Sequence, residues 1–193
     1  MKKMRSIILI SILLLTIIPA AHADSDWEFY FFGINSKDFK GRKILPIIMG
    51  CVSSFVVHEA GHLIAGNMAG MKTSMKWDNG PIAWADDYDD KSKDQKALYH
   101  SGGFIAQTLV GTALTAIPYT RHSDFSVGFT GFTGYNSLGY ALTEGNQGDS
   151  VSDVKNLDHQ GYDGRMIAVG CGLLSEIYTY INLNKHKGKK LKI

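Results

Sequence analysis

The sequence predicts a mainly α-helical, polytopic membrane protein with about four apolar helices after an N-terminal signal peptide. Two observations favour this fold class. Long runs of apolar and small residues alternate with polar segments, and a short apolar run follows basic residues at the N-terminus. The mean hydropathy is only −0.06, because the middle runs are rich in Gly, Ser and Thr. The length of the chain suits one domain.

The N-terminus has the pattern of a secretory signal peptide. Three basic residues precede the apolar run 7–18, which is too short for a comfortable membrane span. Ala21 and Ala23 then form an A-x-A cleavage site. We expect residues 1–23 to be a signal peptide cut after Ala23, with an uncleaved N-terminal anchor as the alternative. Residues 24–193 would then form a single helical domain.

Four later runs are candidates for long helices. The first opens at Pro46, a residue suited to a helix start, and reaches Gly70. At about 1.5 Å per residue it would measure roughly 37 Å, enough to cross a bilayer. The others extend over 97–118, 125–142 and 165–183. Glycines in the run 125–142 would let helices approach closely in a membrane. Because glycine is a poor helix former in water, this run could instead be a strand or loop.

Polar segments separate these runs. Residues 72–96 contain turn signals and an acidic cluster at 86–90, so we expect an exposed loop with solvated charges. A second loop is expected over 144–163. With 20 Lys and Arg against 18 Asp and Glu, nothing indicates a nucleic-acid partner. Cys51 and Cys171 both lie in apolar runs, which favours core residues over a disulfide.

The most informative motif is His58-Glu59-Ala60-Gly61-His62. Residues four apart lie on the same face of a helix, so His58 and His62 can reach one metal ion. Glu59 is close enough to deprotonate a water on that metal. Two such histidines and a glutamate base are typical of zinc hydrolases. The plainer alternative is a polar turn whose histidines are satisfied by hydrogen bonds, although three ionisable groups in an apolar run are costly without a function.

Three segments resemble the site-2 protease family of intramembrane zinc peptidases. Residues 56–66, VVHEAGHLIAG, resemble the H-E-x-G-H helix that these proteins carry in the bilayer. Residues 101–107, SGGFIAQ, look like the later Gly-containing element, with Gln107 where Asn is commoner. Residues 152–157, SDVKNL, are similar to the small-residue, Asp, then Leu pattern of shorter relatives.

The resemblance implies a third metal ligand from an aspartate nearer the C-terminus. Asp153 is the leading candidate, because it matches the pattern of the relatives and starts a plausible helical turn after Ser152. Asp149 and Glu176 are the alternatives. Glu176 lies in an apolar run, where a carboxylate requires a partner.

The implied function is zinc-dependent hydrolysis of peptide bonds in or at a membrane, with Glu59 as the general base. The expected cofactor is Zn²⁺, and the expected partners are a protein or membrane-protein substrate and membrane lipid. We expect a multi-pass protein of the cell (inner) membrane, reached through the export pathway. One alternative is an exported zinc peptidase that is soluble or membrane-attached. Another is a non-catalytic zinc-binding membrane protein that binds a partner.

Overall fold

The computed structural model describes residues 30–31, 34–77, 81–143 and 152–184. The predicted signal peptide and Asp149 lie outside the described residues. Within them the chain is mainly helical. The helices are α1 (Ile44–Met68), α2 (Lys93–Ala116), α3 (Asp124–Thr143), α4 (Asp153–His159) and α5 (Gly164–Leu183), with a 3-10 helix at Ser36–Phe39. The strands are β1 (Tyr30–Phe31), β2 (Ile34–Asn35), β3 (Thr73–Trp77) and β4 (Pro81–Ala85), paired antiparallel as β1–β2 and β3–β4.

Each of the four predicted apolar runs forms one long helix. The glycine-rich run 125–142 is helical, as part of α3, and not a strand or loop. Its low intrinsic helix propensity is overcome by packing, because α3 contacts α1, α2 and α5. Both cysteines are free, as expected, with Cys51 buried and Cys171 partly buried.

The prediction of a loop over 72–96 is wrong. Residues Thr73–Trp77 and Pro81–Ala85 form a hairpin with Met75 opposite Ala83. Its inner face is held against α1, where the Thr73 hydroxyl donates to the carbonyl of Leu63. The hairpin was hard to predict because its strands are short and their inward side chains are small, as at Ala83. The alternation of apolar and polar residues that indicates a strand is therefore weak here.

Close helix crossings bring the functional elements together. Gly61 of α1 and Gly102 of α2 face each other, and a Cβ on either would collide with the carbonyl group of the other. Gly128 of α3 likewise contacts the backbone of α1 at Ile47. Small residues at such crossings let two helix backbones touch. The crossing at Gly61 lies within the H-E-x-G-H motif, so it places α2 directly beside both histidines.

The interior of the four long helices is rich in small polar side chains. Their hydroxyl and amide groups pair with one another across helices. Hydrogen bonds of 2.8–3.0 Å join Ser54 to Thr133, Thr130 to Thr179, and Thr115 to Asn182. All six residues are buried.

The exterior of α1 and α5 is apolar. Large exposed side chains line both helices: Leu45, Met49, Val56, Ile64 and Met68 on α1, and Met166, Leu173 and Ile177 on α5. Among the described residues, these two helices are long and apolar enough to cross a membrane by length and composition. A soluble protein ordinarily places such side chains inside and its polar residues outside.

Candidate metal centre

Two histidines of α1 and one aspartate of α4 meet inside the helix bundle. The Nε2 atoms of His58 and His62 lie 3.1 Å apart. Asp153 Oδ2 lies 3.2 Å from Nε2 of His58 and 3.3 Å from Nε2 of His62. All three residues are buried. The structure therefore brings together the three predicted ligands as a group that can hold a metal ion.

Local structure explains how Asp153 reaches this point. Helix α4 begins at Asp153, and the preceding Ser152 caps it by accepting a hydrogen bond from the amide of Lys155. The predicted helical turn after Ser152 is confirmed. A carboxylate in the first turn of a helix is also favoured by the helix dipole. The cap and the start of the helix thus direct Asp153 into the bundle.

The outer nitrogens of both imidazoles are held by hydrogen bonds. His58 Nδ1 lies 3.0 Å from Gln107 Oε1, and Gln107 Nε2 donates to the carbonyl of Ser54. The Ser54 carbonyl can only accept a hydrogen bond, so the amide nitrogen of Gln107 points to it and the amide oxygen points to His58. This oxygen is also an acceptor, and therefore His58 Nδ1 carries the hydrogen of that hydrogen bond. His62 Nδ1 likewise donates to the carbonyl of Tyr99 over 2.8 Å. In the neutral form, both rings therefore turn the lone pair of Nε2 toward the centre of the site.

This arrangement is electron-rich. Two nitrogen lone pairs and a carboxylate oxygen converge at separations of 3.1–3.3 Å, which is repulsive in a buried site unless a cation lies between them. A metal ion, or a proton on one imidazole, can fill that role. Tetrahedral zinc with ligands at about 2.0–2.1 Å separates its ligand atoms by about 3.3–3.4 Å. The triangle and its two-nitrogen, one-carboxylate donor set both fit zinc.

Asp153 also has a partner on its second oxygen. His100 Nδ1 lies 3.0 Å from Asp153 Oδ1, and the Tyr88 hydroxyl lies 2.8 Å from His100 Nε2. Burial opposes ionisation of Asp153. The electrostatic attraction of the neighbouring His62 and the hydrogen bond from His100 outweigh it, so the pKa of this carboxyl lies well below its usual range. Asp153 is therefore a carboxylate at neutral pH.

Glu59, the remaining ionisable residue of the motif, is not a member of this group. It follows His58 in α1 and faces the hairpin, where its Oε2 accepts a hydrogen bond of 2.8 Å from the amide of Ala83. The other side of Ala83 is held by the Tyr99 hydroxyl, which donates to its carbonyl. One carboxylate oxygen of Glu59 is thus oriented by β4, while the other has no hydrogen-bond partner among those described.

Packing around His58 fixes the plane of its ring. The ring of Phe104 meets it edge to face at 5.4 Å, and Tyr140 stacks on it at 6.2 Å between centroids. Gly103 covers the remaining side, since a Cβ there would lie 2.6–2.7 Å from three atoms of the ring. A side chain at position 103 would therefore push His58 out of place.

The other candidate ligands do not join this group. Asp149 is outside the described residues. Glu176 lies in α5 against Gly134, and it is not among the residues that could hold a metal ion in the described part of the chain. His100 and Tyr88 were not among the residues predicted to belong to the site. The signal for His100 was present, because a histidine within an apolar run requires a partner.

Comparison with known proteins adds no further constraint: no protein-family model matches the chain, and no curated protein or solved structure matches it.

Proposed function

We propose that the protein is a zinc-dependent peptidase of the site-2 protease type, acting on protein or membrane-protein substrates in or at a membrane. The observation that carries this proposal is the buried triangle formed by His58, His62 and Asp153, with Glu59 next to His58 in α1.

The residues of the chain have defined parts in such a reaction. A zinc ion bound by His58, His62 and Asp153 would supply Lewis acidity for a water and for the peptide carbonyl. Glu59 would take a proton from the attacking water and deliver it to the nitrogen of the leaving amine, so it ends the cycle unprotonated. Gln107 and the carbonyl of Tyr99 would hold the imidazoles in the tautomer that binds metal.

The surface of the molecule supports a membrane location. Apolar side chains cover α1 and α5, while the hydroxyl and amide groups pair inside the bundle. This distribution suits helices whose outer faces contact lipid. We infer that α1, α2, α3 and α5 form a multi-pass unit in the cell (inner) membrane. Extraction with alkaline carbonate tests this inference, because release of the protein into the supernatant would count against integral insertion.

The decisive experiment compares the wild type with Glu59→Gln. Both proteins, purified in detergent with zinc, are incubated with a panel of single-span membrane peptides and with unfolded casein, and products are read by mass spectrometry. Cleavage by the wild type alone, with zinc content near one per chain in both proteins, supports the proposal. His58→Ala should lose both zinc and cleavage.

A non-catalytic metal-binding protein is the second candidate function. It is favoured by the hydrogen bond from Ala83 to Glu59, which gives that carboxylate a structural partner. If Glu59→Gln retains zinc and every biological activity of the wild type, the binding role is correct and the peptidase is not. A wild type that takes up no zinc would refute both.

A further inference from the structure

We propose that His100, itself held by Tyr88, is a positioning residue that reserves one oxygen of Asp153 and leaves the other for the metal. This proposal rests on the zinc site proposed above. It extends that site by two residues that do not touch the metal.

The donor and the acceptor of the two hydrogen bonds that link Tyr88, His100 and Asp153 follow from the groups involved. An ionised Asp153 can only accept, so His100 Nδ1 carries the hydrogen that lies toward Oδ1 over 3.0 Å. In the neutral ring, His100 Nε2 then has a lone pair and accepts from the Tyr88 hydroxyl over 2.8 Å. Burial, with the negative charge of Asp153, raises the pKa of Tyr88, so this hydroxyl keeps its proton. Tyr88 therefore donates to His100, and His100 donates to Asp153.

The consequence for Asp153 is geometric. With Oδ1 engaged by His100, the carboxylate presents only Oδ2, the atom that lies 3.2 Å from His58 Nε2 and 3.3 Å from His62 Nε2. Rotation that brought both oxygens to a metal would leave the Nδ1–H of the buried His100 without an acceptor. His100 therefore favours binding through a single oxygen, as hydrogen-bonded carboxylates do around metals.

Tyr88 lies in the loop that precedes α2 and thus connects these two hydrogen bonds to that loop. The loop is anchored to the end of α1, because Asp87 accepts from the amide of Lys72 and Lys91 donates to the carbonyl of Gly70. Lys96 lies 4.9 Å over the centre of the Tyr88 ring. These contacts hold the hydroxyl at the position where it can orient His100.

The test measures metal binding, which does not depend on a known substrate. Zinc dissociation constants are determined by competition with a chelator for the wild type, His100→Ala, His100→Asn and Tyr88→Phe. Loss of an outer-sphere partner typically weakens metal binding about 10- to 100-fold, and we expect this for His100→Ala. Asparagine can present an N–H close to the position of His Nδ1, so His100→Asn should recover most of the affinity. Tyr88→Phe should lose less than about tenfold.

Cobalt substitution provides the second readout. In His100→Ala, the released Asp153 should bind cobalt through both oxygens, so the strong visible absorption of a four-coordinate ion weakens, while His100→Asn keeps the wild-type spectrum. The control is His159→Ala, because His159 is exposed on the same helix as Asp153. It should change neither quantity.

The possible outcomes separate the two proposals. Unchanged zinc affinity and an unchanged cobalt spectrum in His100→Ala would overturn the positioning role. If His100→Ala does not fold, Tyr88→Phe decides: a zinc affinity below that of the wild type supports the role, and a zinc affinity equal to that of the wild type overturns it. A wild type that binds zinc but cleaves nothing would refute the peptidase, and the zinc affinities of the variants would still decide the positioning role, whereas a wild type without zinc refutes both.

Discussion

Gly103→Ala tests whether the packing of α2 against His58 maintains the metal site. The new Cβ would lie 2.6–2.7 Å from Cε1, Nδ1 and Nε2 of the imidazole, where ordinary contact begins near 3.4 Å. The ring or the helix must therefore move by about 0.7 Å. All three contacts are on the imidazole ring, whose Nδ1 is held by Gln107, so any movement that relieves them also disturbs this hydrogen bond.

The expected loss follows from this displacement. The His58–Gln107 hydrogen bond, now 3.0 Å, would lengthen or bend beyond good geometry, and Nε2 would leave the triangle. Misplaced ligands or lost outer partners weaken metal binding by about 10- to 100-fold, so we expect zinc affinity to fall within this range. Overpacking should also cost about 1–3 kcal/mol of folding free energy.

The assay pairs chelator competition for zinc with chemical denaturation of the metal-free protein. The matched control is Gly111→Ala, two turns further along the same helix, where a Cβ would meet nothing closer than 3.4 Å. Alanine has a higher helix propensity than glycine and would meet no collision at this position. The free energy of unfolding should therefore be unchanged or rise by up to about 1 kcal/mol. Equal zinc affinities for the two variants would refute the proposed packing of Gly103 on His58.

Two further predictions concern the pH dependence of zinc binding and the contribution of Arg42 to folding stability. Zinc binds the neutral form of imidazole, so zinc and protons compete for this site. The zinc dissociation constant should rise on acidification, by about tenfold per pH unit for each proton displaced, and a pH-independent value would contradict this. Arg42 binds Asp124 over 3.0 Å and donates to the carbonyls of Asn182 and Leu183, joining three elements. Arg42→Ala should therefore lose about 2–3 kcal/mol in chemical denaturation, more than Arg121→Ala, whose side chain caps only the end of α2.

The long helices were predictable because their signal is local. Apolar and small residues dominate runs of about twenty positions, and the H-E-x-G-H spacing places His58 and His62 on one face. Helix α1 begins two residues before Pro46 and ends two before Gly70, so even its bounds were close. The hairpin was missed because it depends on tertiary contacts, namely Thr73 with Leu63 and the amide of Ala83 with Glu59.

The third candidate ligand is the part of the site that local sequence patterns identify least well. Asp153 lies 91 positions after His62, and nothing in the spacing of the chain states that α4 returns to α1. A family pattern and a helix cap at Ser152 favoured it over Glu176. Asp153 differs from Glu176 in its hydrogen bond to His100 of α2. This contact forms only when α1, α2 and α4 pack together, so the sequence does not reveal it. Long-range pairs of this kind are set by packing rather than by local propensity.

The same side-chain choices explain both the fold and the site. Glycine at position 61 lets α2 approach α1, and that approach is what places Tyr99, His100 and Gln107 within hydrogen-bonding distance of the ligand group. The ligands thus come from α1 and α4, and their orienting partners come mainly from α2. A metal ion bound between the converging lone pairs would therefore also stabilise the packing of the three helices.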